Sequence, residues 1–339
     1  MGAVLILIIT TPEHRYTHLN LYRDTALDIE VVSYDDVLRR RTPRRATHVF
    51  TDIDRLPSWR VHEAALMYRK VRDAGFRALN DPARFLGRFG LLRSLNRAGI
   101  NDFDAYRVDG IEAPRKWPVF LRLEGDHHAP VSGLLEDQAS LNRALQEAIE
   151  GGAPRSALLI IEYAAEPVRP GLYRKLSVFR VGDRVLGYTC VHDGNWLVKY
   201  GTSGIAPADL YDEEYSLIAE NPFGAAAKTA FDLAGIEYGR VDFGLVGGKP
   251  QFYEINSNPY ISLEAKAPNN ERRSASLKLF RTNYIEAVKG IDFAPRASWR
   301  VKSSVAARRA ELLPGRARRV LTRVFPARPG SLPAEPLTT

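Results

Sequence analysis

The sequence predicts a mixed α/β protein of two or three lobes, with a parallel sheet first and antiparallel hairpins later. Over the first eighty residues, continuous apolar runs alternate with helix-like runs, a rhythm typical of βαβ units. From residue 174 onward, strand-like runs are separated by short turns that contain glycine, as in antiparallel hairpins. A chain of 339 residues is long enough to bury several cores of this kind.

The first part of the chain supplies the elements of the parallel sheet. The segments AVLILII (3–9), DIEVVSY (28–34) and ATHVFTD (46–52) predict strands that are buried on both faces. DDVLRRR (35–41) and SWRVHEAALMYRKVRDAG (58–75) predict the intervening helices, the second of which ends at Gly75. TTPEHR follows the first strand where a usual dinucleotide-binding fold would have G-x-G-x-x-G, so that fold is disfavoured.

The remaining elements follow in order along the chain. We predict helices over NDPARFLGRFGLLRSLNRAGI (80–100, ending near Gly99), EDQASLNRALQEAIEGG (136–152), NPFGAAAKTAFDLAGI (221–236) and NNERRSASLKLFRTNYIEAVKG (269–290). We predict strands in PVFLRLE (118–124) and SALLIIEY (156–163), a strand pair in RKLSVFRVGDRVLGYTCV (174–191), and a hairpin in EYGRVDFGLVGGKPQFYEIN (237–256).

Composition and charge limit the classes of function. The chain carries a net charge of +8, but residues 296–339 hold ten basic and two acidic side chains, so residues 1–295 are neutral. A nucleic-acid role for the main fold is therefore not indicated. The single cysteine, Cys190, excludes an internal disulfide framework and fits a reducing compartment. The short apolar start lacks a basic leader, so we interpret it as a buried strand and expect a cytoplasmic protein.

The segment QFYEINSNPYIS (251–262) carries more polar side chains than a core strand needs. Because side chains alternate along a strand, Glu254 and Asn256 share one face, as do Arg240 and Asp242 on the partner strand. Two acids and an amide form an all-oxygen set that suits magnesium, and Arg240 could hold a phosphoryl oxygen. The alternative, a solvated hairpin with ordinary ion pairs, is equally compatible with the spacing alone.

The register of the hairpin tests the metal interpretation. With a loop of only Gly247 and Gly248, Glu254 would oppose Val241, and Asp242 would point to the other face. Shared metal ligation therefore requires a bulge or an odd loop, and the two glycines would tolerate a bulged turn.

GRVDFGLVGGKPQFYEINSNP (239–259) resembles the closing metal motif of the ATP-grasp superfamily, which shows R-x-D, a hairpin and then E-x-N-x-x-P. The resemblance covers residues 1–290 and is nearest to glutathione-synthetase-like and ribosomal-modification-type ligases. It implies an ATP-grasp fold of two α+β lobes gripping a nucleotide, preceded by a Rossmann-like parallel α/β domain. The implied divisions are 1–80 for the preceding domain, 81–160 and 161–292 for the two lobes, and 293–339 for the basic tail.

The same resemblance implies roles for individual residues. Asp242, Glu254 and Asn256 would bind magnesium, Arg240 would stabilise the transferred phosphoryl group, and Asn258 would be a supporting or substrate-side amide. LLIIEYAAE (158–166) resembles the segment beside the adenine, where the backbone of Glu162, Tyr163 and Ala164 would read the base and Glu166 would reach the ribose. NWLVKYG (195–201) resembles the strand that carries a phosphate-side lysine, here Lys199.

The sequence departs from the family at the phosphate-binding positions. Arg88 and Arg122 stand where the family usually places lysines, which keeps the charge but changes the geometry of phosphate contacts. The loop EGDHHAPVSG (124–133) stands where a lid rich in glycine and serine is usual. Its adjacent residues His127 and His128 seldom face the same way, so a lid or a solvated loop fits them better than a metal site.

The implied function is an ATP- and magnesium-dependent ligase that joins a carboxylate to an amine through an acylphosphate. The substrates would be small molecules or peptides, and a homo-oligomer is possible. The alternatives are a phosphotransferase that acts on a hydroxyl, and a nucleotide-binding protein without turnover. The basic tail predicts either a helix docked on the body or a segment that binds an anionic partner such as a membrane surface, a polyanion or an acidic protein.

Overall fold

The computed structural model describes residues 5–18, 21, 27–40, 42–110, 113–126, 128–261 and 270–291. These residues belong to one compact unit, Met1–Pro295. The basic tail predicted at 293–339 and His127 lie outside the described residues, so the predictions made for them stay predictions. In the described part of the chain, no helix is long and apolar enough to span a membrane.

The first sheet is parallel throughout, which confirms the βαβ prediction. Its strands are β1 (Ile6–Thr10), β2 (Ile29–Ser33), β3 (Thr47–Phe50) and β4 (Ala78–Leu79), in the order β2-β1-β3-β4. Helix α1 (Tyr34–Leu38) follows β2, and helix α2 (Ser58–Asp73) connects β3 to β4. Gly75 has a φ of +79° and ends α2 in the left-handed conformation that glycine tolerates.

The second sheet has three antiparallel strands. They are β5 (Ala105–Arg107), β6 (Val119–Leu123) and β7 (Leu158–Glu162), with β7 in the middle. Helix α3 (Arg88–Arg97) precedes this sheet, and helix α4 (Gln138–Glu150) connects β6 to β7. The helix predicted over 80–100 is shorter at its start because Pro82 lies in a separate 3-10 turn, Pro82–Arg84. Its end near Gly99 is confirmed, since that residue has a φ of +69°.

The third sheet is antiparallel and holds the hairpin that carries the predicted metal residues. Its main strands are β9 (Leu172–Val181), β10 (Arg184–Gly187), β12 (Tyr238–Val246) and β13 (Lys249–Asn256), in the order β10-β9-β12-β13. Two short strands, β8 (Pro167–Arg169) and β11 (Val191–Asp193), also pair with β9. The remaining α-helices of the described residues are α5 (Ala208–Glu220), α6 (Gly224–Ala234) and α7 (Glu271–Gly290). Short 3-10 segments lie at Pro12–His18, Ile53–Arg55 and Arg155–Ala157. The mixed α/β class is therefore confirmed, whereas the division into three domains stays a prediction.

The strand predicted at 195–201 was wrong, because this segment is a loop that begins after β11. The side chain of Asp193 accepts a hydrogen bond from the N–H of Asn195 at 3.1 Å. The side chain of Asn195 in turn accepts one from the N–H of Leu197 at 3.0 Å. Such local bonds from side chain to backbone replace ladder hydrogen bonds, so the chain turns instead of extending.

Two hydrophobic cores hold the hairpin in place. On one face, α3 and α6 pack against β9 and β12 through residues such as Leu95, Phe231, Val178 and Val241. On the other, Phe280 and Tyr284 of α7 join Phe179 of β9 and Ile8 of the parallel sheet in a single cluster. The hairpin is thus anchored both to its own helices and to the parallel sheet.

Candidate active site

Most of the predicted site residues line one cleft between the second and third sheets. These residues are Arg88, Arg122, Glu162, Tyr163, Ala164, Glu166, Lys199, Asp242 and Glu254. Arg240, Asn256 and Asn258 do not line it. Arg240 and Asn256 lie one step further along the same strands, and Asn258 contacts the parallel sheet, as described below.

The hairpin has the bulge that shared ligation requires. Asp242 is opposite Glu254, and Arg240 is opposite Asn256, so all four side chains share one face. The register shifts between Asp242 and Phe243, which leaves Tyr253 as the extra residue of β13. The prediction of a bulge is confirmed, but the bulge lies at Tyr253 and not at the glycine turn.

Asp242 is almost completely buried and is surrounded by donors. Arg240 donates to both of its carboxylate oxygens, from Nε at 2.7 Å and from Nη2 at 3.0 Å. Ser177 Oγ donates to Oδ1 at 2.8 Å, and Lys175 Nζ lies 3.5 Å from Oδ2. Burial would lower the pKa of Arg240, but the attraction of Asp242 raises it, so the guanidinium remains charged.

Glu254 is paired with a cation from another element. Arg88 Nη2 donates to Glu254 Oε2 at 2.6 Å, while Arg88 Nη1 faces the carbonyl oxygens of the segment after β6, including that of Asp126 at 3.0 Å. Burial alone would raise the pKa of Glu254, but Arg88, Arg122 and Lys175 hold it well below its usual range. The carboxylate is therefore ionised at neutral pH.

The cations around these two carboxylates outnumber them. Within the described part of the chain, Arg88, Arg122 and Lys175 line the cleft beside Asp242 and Glu254, and Arg240 is paired with Asp242. Burial and the nearby charge of Arg88 lower the pKa of Arg122 to about 10. Its Nε is buried and has no hydrogen-bond partner among the described residues. This end of the cleft therefore has more positive charges than its two carboxylates neutralise, and at least one hydrogen-bond donor without a partner among the described residues.

The donor chemistry at this end also fits a hard cation such as magnesium. Asp242, Glu254 and Asn256 supply only oxygen ligands, which is the set that magnesium prefers. In this set the Oδ1 atom of Asn256 would bind the cation, while its Nδ2 group, which is buried and lacks a hydrogen-bond partner in the described structure, is a donor and would not. Among the described residues, no three histidine, cysteine, aspartate or glutamate side chains cluster as a metal site. The predicted set consists instead of two carboxylates and one amide.

Asn258 faces the parallel sheet rather than the cleft. Its Oδ1 accepts a hydrogen bond from Thr17 Oγ1 at 2.9 Å, and its Nδ2 donates to Thr10 Oγ1 at 3.1 Å. The neighbouring Ser257 is bonded to the N–H of Ile53 in the same way, at 3.3 Å. These contacts fasten the segment after β13 to the first sheet and the loops beside it, and both the oxygen and the nitrogen of the Asn258 amide are hydrogen-bonded there.

The opposite end of the cleft is mostly apolar and aromatic. The residues that form it include Leu92, Phe103, Phe120, Ile161, Tyr173, Trp196 and Tyr253. The ring of Trp196 lies 5.1 Å from that of Phe120 and 5.6 Å from that of Tyr163, measured between centroids. A flat aromatic ligand would find stacking partners on several sides here.

The segment after β7 presents backbone groups to this apolar end. The Glu162 side chain is not available, because its buried carboxylate accepts hydrogen bonds from Tyr106 and from the N–H groups of Asp104 and Arg115. The carbonyl of Ala164 accepts one from Tyr253 Oη at 2.8 Å. In the described structure the N–H of Ala164 has no partner, so it can donate to a ligand.

Glu166 and Lys199 lie at the rim of the cleft. Glu166 Oε2 accepts a hydrogen bond from the N–H of Gly247 at 2.8 Å, which joins the rim to the hairpin turn. Lys199 Nζ lies over the ring of Tyr200, 5.0 Å from its centroid, on the loop that follows β11. Lys175 Nζ donates to the carbonyl of Lys199 at 3.0 Å.

Lys175 is a cleft residue that the sequence analysis missed. It lies on β9 opposite the β12 strand, where Ser177 pairs with Asp242. Alternation along β9 therefore puts Lys175 and Ser177 on the same face as Asp242. The pattern was present in RKLSVFRV, but it points to the site only once the pairing of β9 with β12 is known.

The cysteine and most histidines play no part in this cleft. Cys190 is buried, and burial raises the pKa of its thiol to about 12. His18, His48 and His192 are buried in other places, and His128 alone lines the cleft among the described histidines. His128 is paired with Asp126 on the loop after β6.

Comparison with known proteins gives structural likenesses. No family model matches the sequence, and no curated protein matches it. The chain is similar to the solved structure of D-alanine–D-alanine ligase from Bacillus anthracis complexed with ATP, with a TM-score of 0.48 and 12% identity, covering 86% of this chain and 100% of the ligase. It is also similar to a RimK domain ATP-grasp protein from Sphaerobacter thermophilus, with a TM-score of 0.48 and 16% identity, covering 86% and 100% of the two chains.

Proposed function

We propose that the protein is an ATP- and magnesium-dependent ligase that joins a carboxylate to an amine through an acylphosphate intermediate. One observation carries the proposal. The carboxylates of Asp242, which is buried, and Glu254, which is partly buried, face each other across a bulged hairpin and are surrounded by more cations than they can neutralise. A ligand with several negative charges would balance this end of the cleft, and a metal-bound triphosphate has that chemistry.

The other end of the cleft supports a purine base. The aromatic side chains around Trp196 offer stacking surfaces, and the N–H of Ala164 is available as a donor. A nucleotide placed with its base here and its phosphates at Arg88 and Arg122 would extend along the cleft toward Asp242. Glu166 at the rim is the acid that could accept hydrogen bonds from the ribose hydroxyls.

In the proposed reaction, the protein acts by positioning groups and by neutralising charge. Asp242, Glu254 and Asn256 would hold magnesium, which supplies positive charge to phosphate oxygens when bound. Arg88, Arg122 and Lys175 would bind the phosphates, and Arg240 would fix the orientation of Asp242 and add positive charge as charge develops on the transferred group. No side chain has to act as a nucleophile.

The two chemical steps balance without an additional reactant. A carboxylate oxygen of the substrate attacks the γ-phosphorus of ATP, and ADP leaves with the electron pair of the broken P–O bond. The nitrogen of the amine then attacks the acyl carbon, inorganic phosphate leaves, and the amine loses a proton. The products are an amide, ADP and phosphate.

A screen for ADP release with amino acids and peptides as carboxylate and amine substrates tests this function. We expect release only when both substrates are present, with an amide as the product. A phosphoester product would favour the alternative of a phosphotransferase that acts on a hydroxyl. ATP binding without ADP release would favour a nucleotide-binding protein without turnover.

Glu254→Gln is the matched variant for this screen, because it removes a charge while nearly preserving volume. We expect it to abolish turnover and keep the fold. Glu124→Gln is the control, since Glu124 is also paired with an arginine, Arg107 at 2.7 Å, but does not line the cleft. Full activity in Glu254→Gln would contradict the proposed metal set.

A further inference from the structure

A buried asparagine bonds to the backbone at the outer edge of β13. β13 pairs with β12 on one side only, so its outward backbone groups need other partners. Asn101, which follows helix α3, supplies them for Phe252. Asn101 Nδ2 donates to the Phe252 carbonyl at 2.8 Å, and the Phe252 N–H donates to Asn101 Oδ1 at 2.9 Å. Both residues are buried, so water does not substitute for these hydrogen bonds.

The position of this contact along β13 connects it to the candidate site. Phe252 is the last regularly paired residue before the bulge at Tyr253, and Glu254 is the first one after it. A slip of the strand by one residue would turn Glu254 to the face opposite that of Asp242. It would also separate Phe252 from Asn101 and leave buried donors and acceptors unpaired, which is unfavourable. Asn101 therefore opposes the particular displacement that would take the two carboxylates apart.

We propose that Asn101 is a positioning residue that sets the bulge at Tyr253 and thereby holds Glu254 opposite Asp242. The inference rests on the proposed function, since the placement of Glu254 matters as part of a metal site. The neighbouring pair strengthens the attachment on the same side, because the N–H of Asp102 donates to Gln251 Oε1 at 2.8 Å. The segment after α3 thus acts as a short substitute for a missing edge strand.

The chain contains a second asparagine with the same bonding pattern, which serves as a matched control. Asn80 Nδ2 donates to the Tyr238 carbonyl at 2.8 Å, and the Tyr238 N–H donates to Asn80 Oδ1 at 2.9 Å. Asn80 is also buried. Its partner lies at the start of β12, away from the bulge, so its loss should destabilise the fold without moving Glu254.

The test is the binding of Mn²⁺, a stand-in for magnesium, to the full chain in the presence of ATP, followed by electron paramagnetic resonance. Melting temperatures are measured on the same samples. We expect Asn101→Ala to weaken Mn²⁺ binding by roughly 10- to 100-fold, the loss usual for a residue that orients a metal ligand. We expect Asn80→Gly, chosen because Asn80 has a φ of +62° that glycine tolerates, to lower the melting temperature and leave Mn²⁺ affinity within about twofold of the wild type.

Equal Mn²⁺ affinities for the wild type and a folded Asn101→Ala would overturn the inference, as would an equal loss in both asparagine variants. If Asn101→Ala does not fold, Asn101→Ser takes its place, because its shorter polar side chain no longer bonds directly to Phe252 but leaves room for a bridging water. Here an unchanged affinity overturns the inference and a loss of affinity supports it. A wild-type chain that binds no Mn²⁺ with ATP would overturn the proposed function itself, and with it the role assigned to Asn101.

Discussion

At the scale of one residue, Lys175 adds a positive charge to the cleft that the sequence motif at 239–259 does not include. Its side chain is only 15% exposed, and its ammonium group lies between Asp242 and the carbonyl of Lys199. A buried cation in this position contributes more to anion binding than a solvated one, because screening by water is weaker. It also adds to the excess of positive charge beside the two carboxylates.

We expect Lys175→Met to weaken ATP binding by roughly tenfold or more, the loss typical of a hydrogen bond to a charged group. Calorimetric titration with Mg-ATP measures this loss. Lys228→Met is the control, because Lys228 forms an exposed ion pair with Asp232 within helix α6 and does not line the cleft. An Mg-ATP affinity in Lys175→Met equal to that of the control would show that Lys175 does not contact the phosphates.

At the scale of an element, the bulged hairpin depends on the absence of a side chain at Gly244. A Cβ atom built at Gly244 would lie 2.2 Å from Tyr253 Oη, the group that donates to the carbonyl of Ala164. Gly244 therefore lets the extra residue of the bulge cross β12 and reach the segment after β7. The hairpin in this way connects the phosphate end of the cleft with its apolar end.

Gly244→Ala should displace Tyr253 from Ala164 and reduce affinity for the base more than affinity for phosphate. We expect weaker binding of adenosine nucleotides, with little change in the binding of inorganic triphosphate. The second variant is Tyr253→Phe, which removes only the hydroxyl that bonds to Ala164. Gly247→Ala is not used, because the φ of +56° at Gly247 would add backbone strain to any effect on binding. Unchanged nucleotide affinity in both variants would contradict this role of the Tyr253 contact.

The elements also show how much of the structure the sequence could predict. The parallel strands were readable because their buried apolar runs are continuous, and the bulge was required by counting residues between Asp242 and Glu254. The loop at 195–201 could not be predicted, because the residues VKY (198–200) resemble a strand. The side chains of Asp193 and Asn195 instead accept hydrogen bonds from nearby N–H groups and turn the chain. Lys175, Asn101 and Trp196 were missed because their roles depend on which strands and loops become neighbours, which local patterns do not specify.

At the scale of the whole molecule, buried histidines make stability depend on pH. Burial lowers the pKa of His18, His48 and His192 to about 4 from the ordinary value of 6.5. Between these values the unfolded chain binds more protons than the folded one, so the free energy of unfolding falls as pH decreases from about 6.5 toward 4.

We expect urea denaturation at pH 7 and pH 5 to show lower stability at pH 5, and His48→Asn to reduce that difference. Asparagine can keep the hydrogen bond from the ring Nδ1 to the Ala46 carbonyl, 3.1 Å in the wild type, without gaining a proton. The exposed His62 is the control position, where the same substitution should leave the difference unchanged. An undiminished pH dependence in His48→Asn would contradict the assignment to this residue.

The central claim is that the cleft between the second and third sheets binds ATP together with magnesium. Its most direct test is the melting temperature of the full chain with and without millimolar Mg-ATP, beside Glu254→Gln under the same conditions. A ligand at about 100 times its Kd stabilises the folded state by about 2.7 kcal/mol, so we expect a clear rise for the wild type and a smaller one for the variant. A wild-type melting temperature that does not change with Mg-ATP would contradict the account.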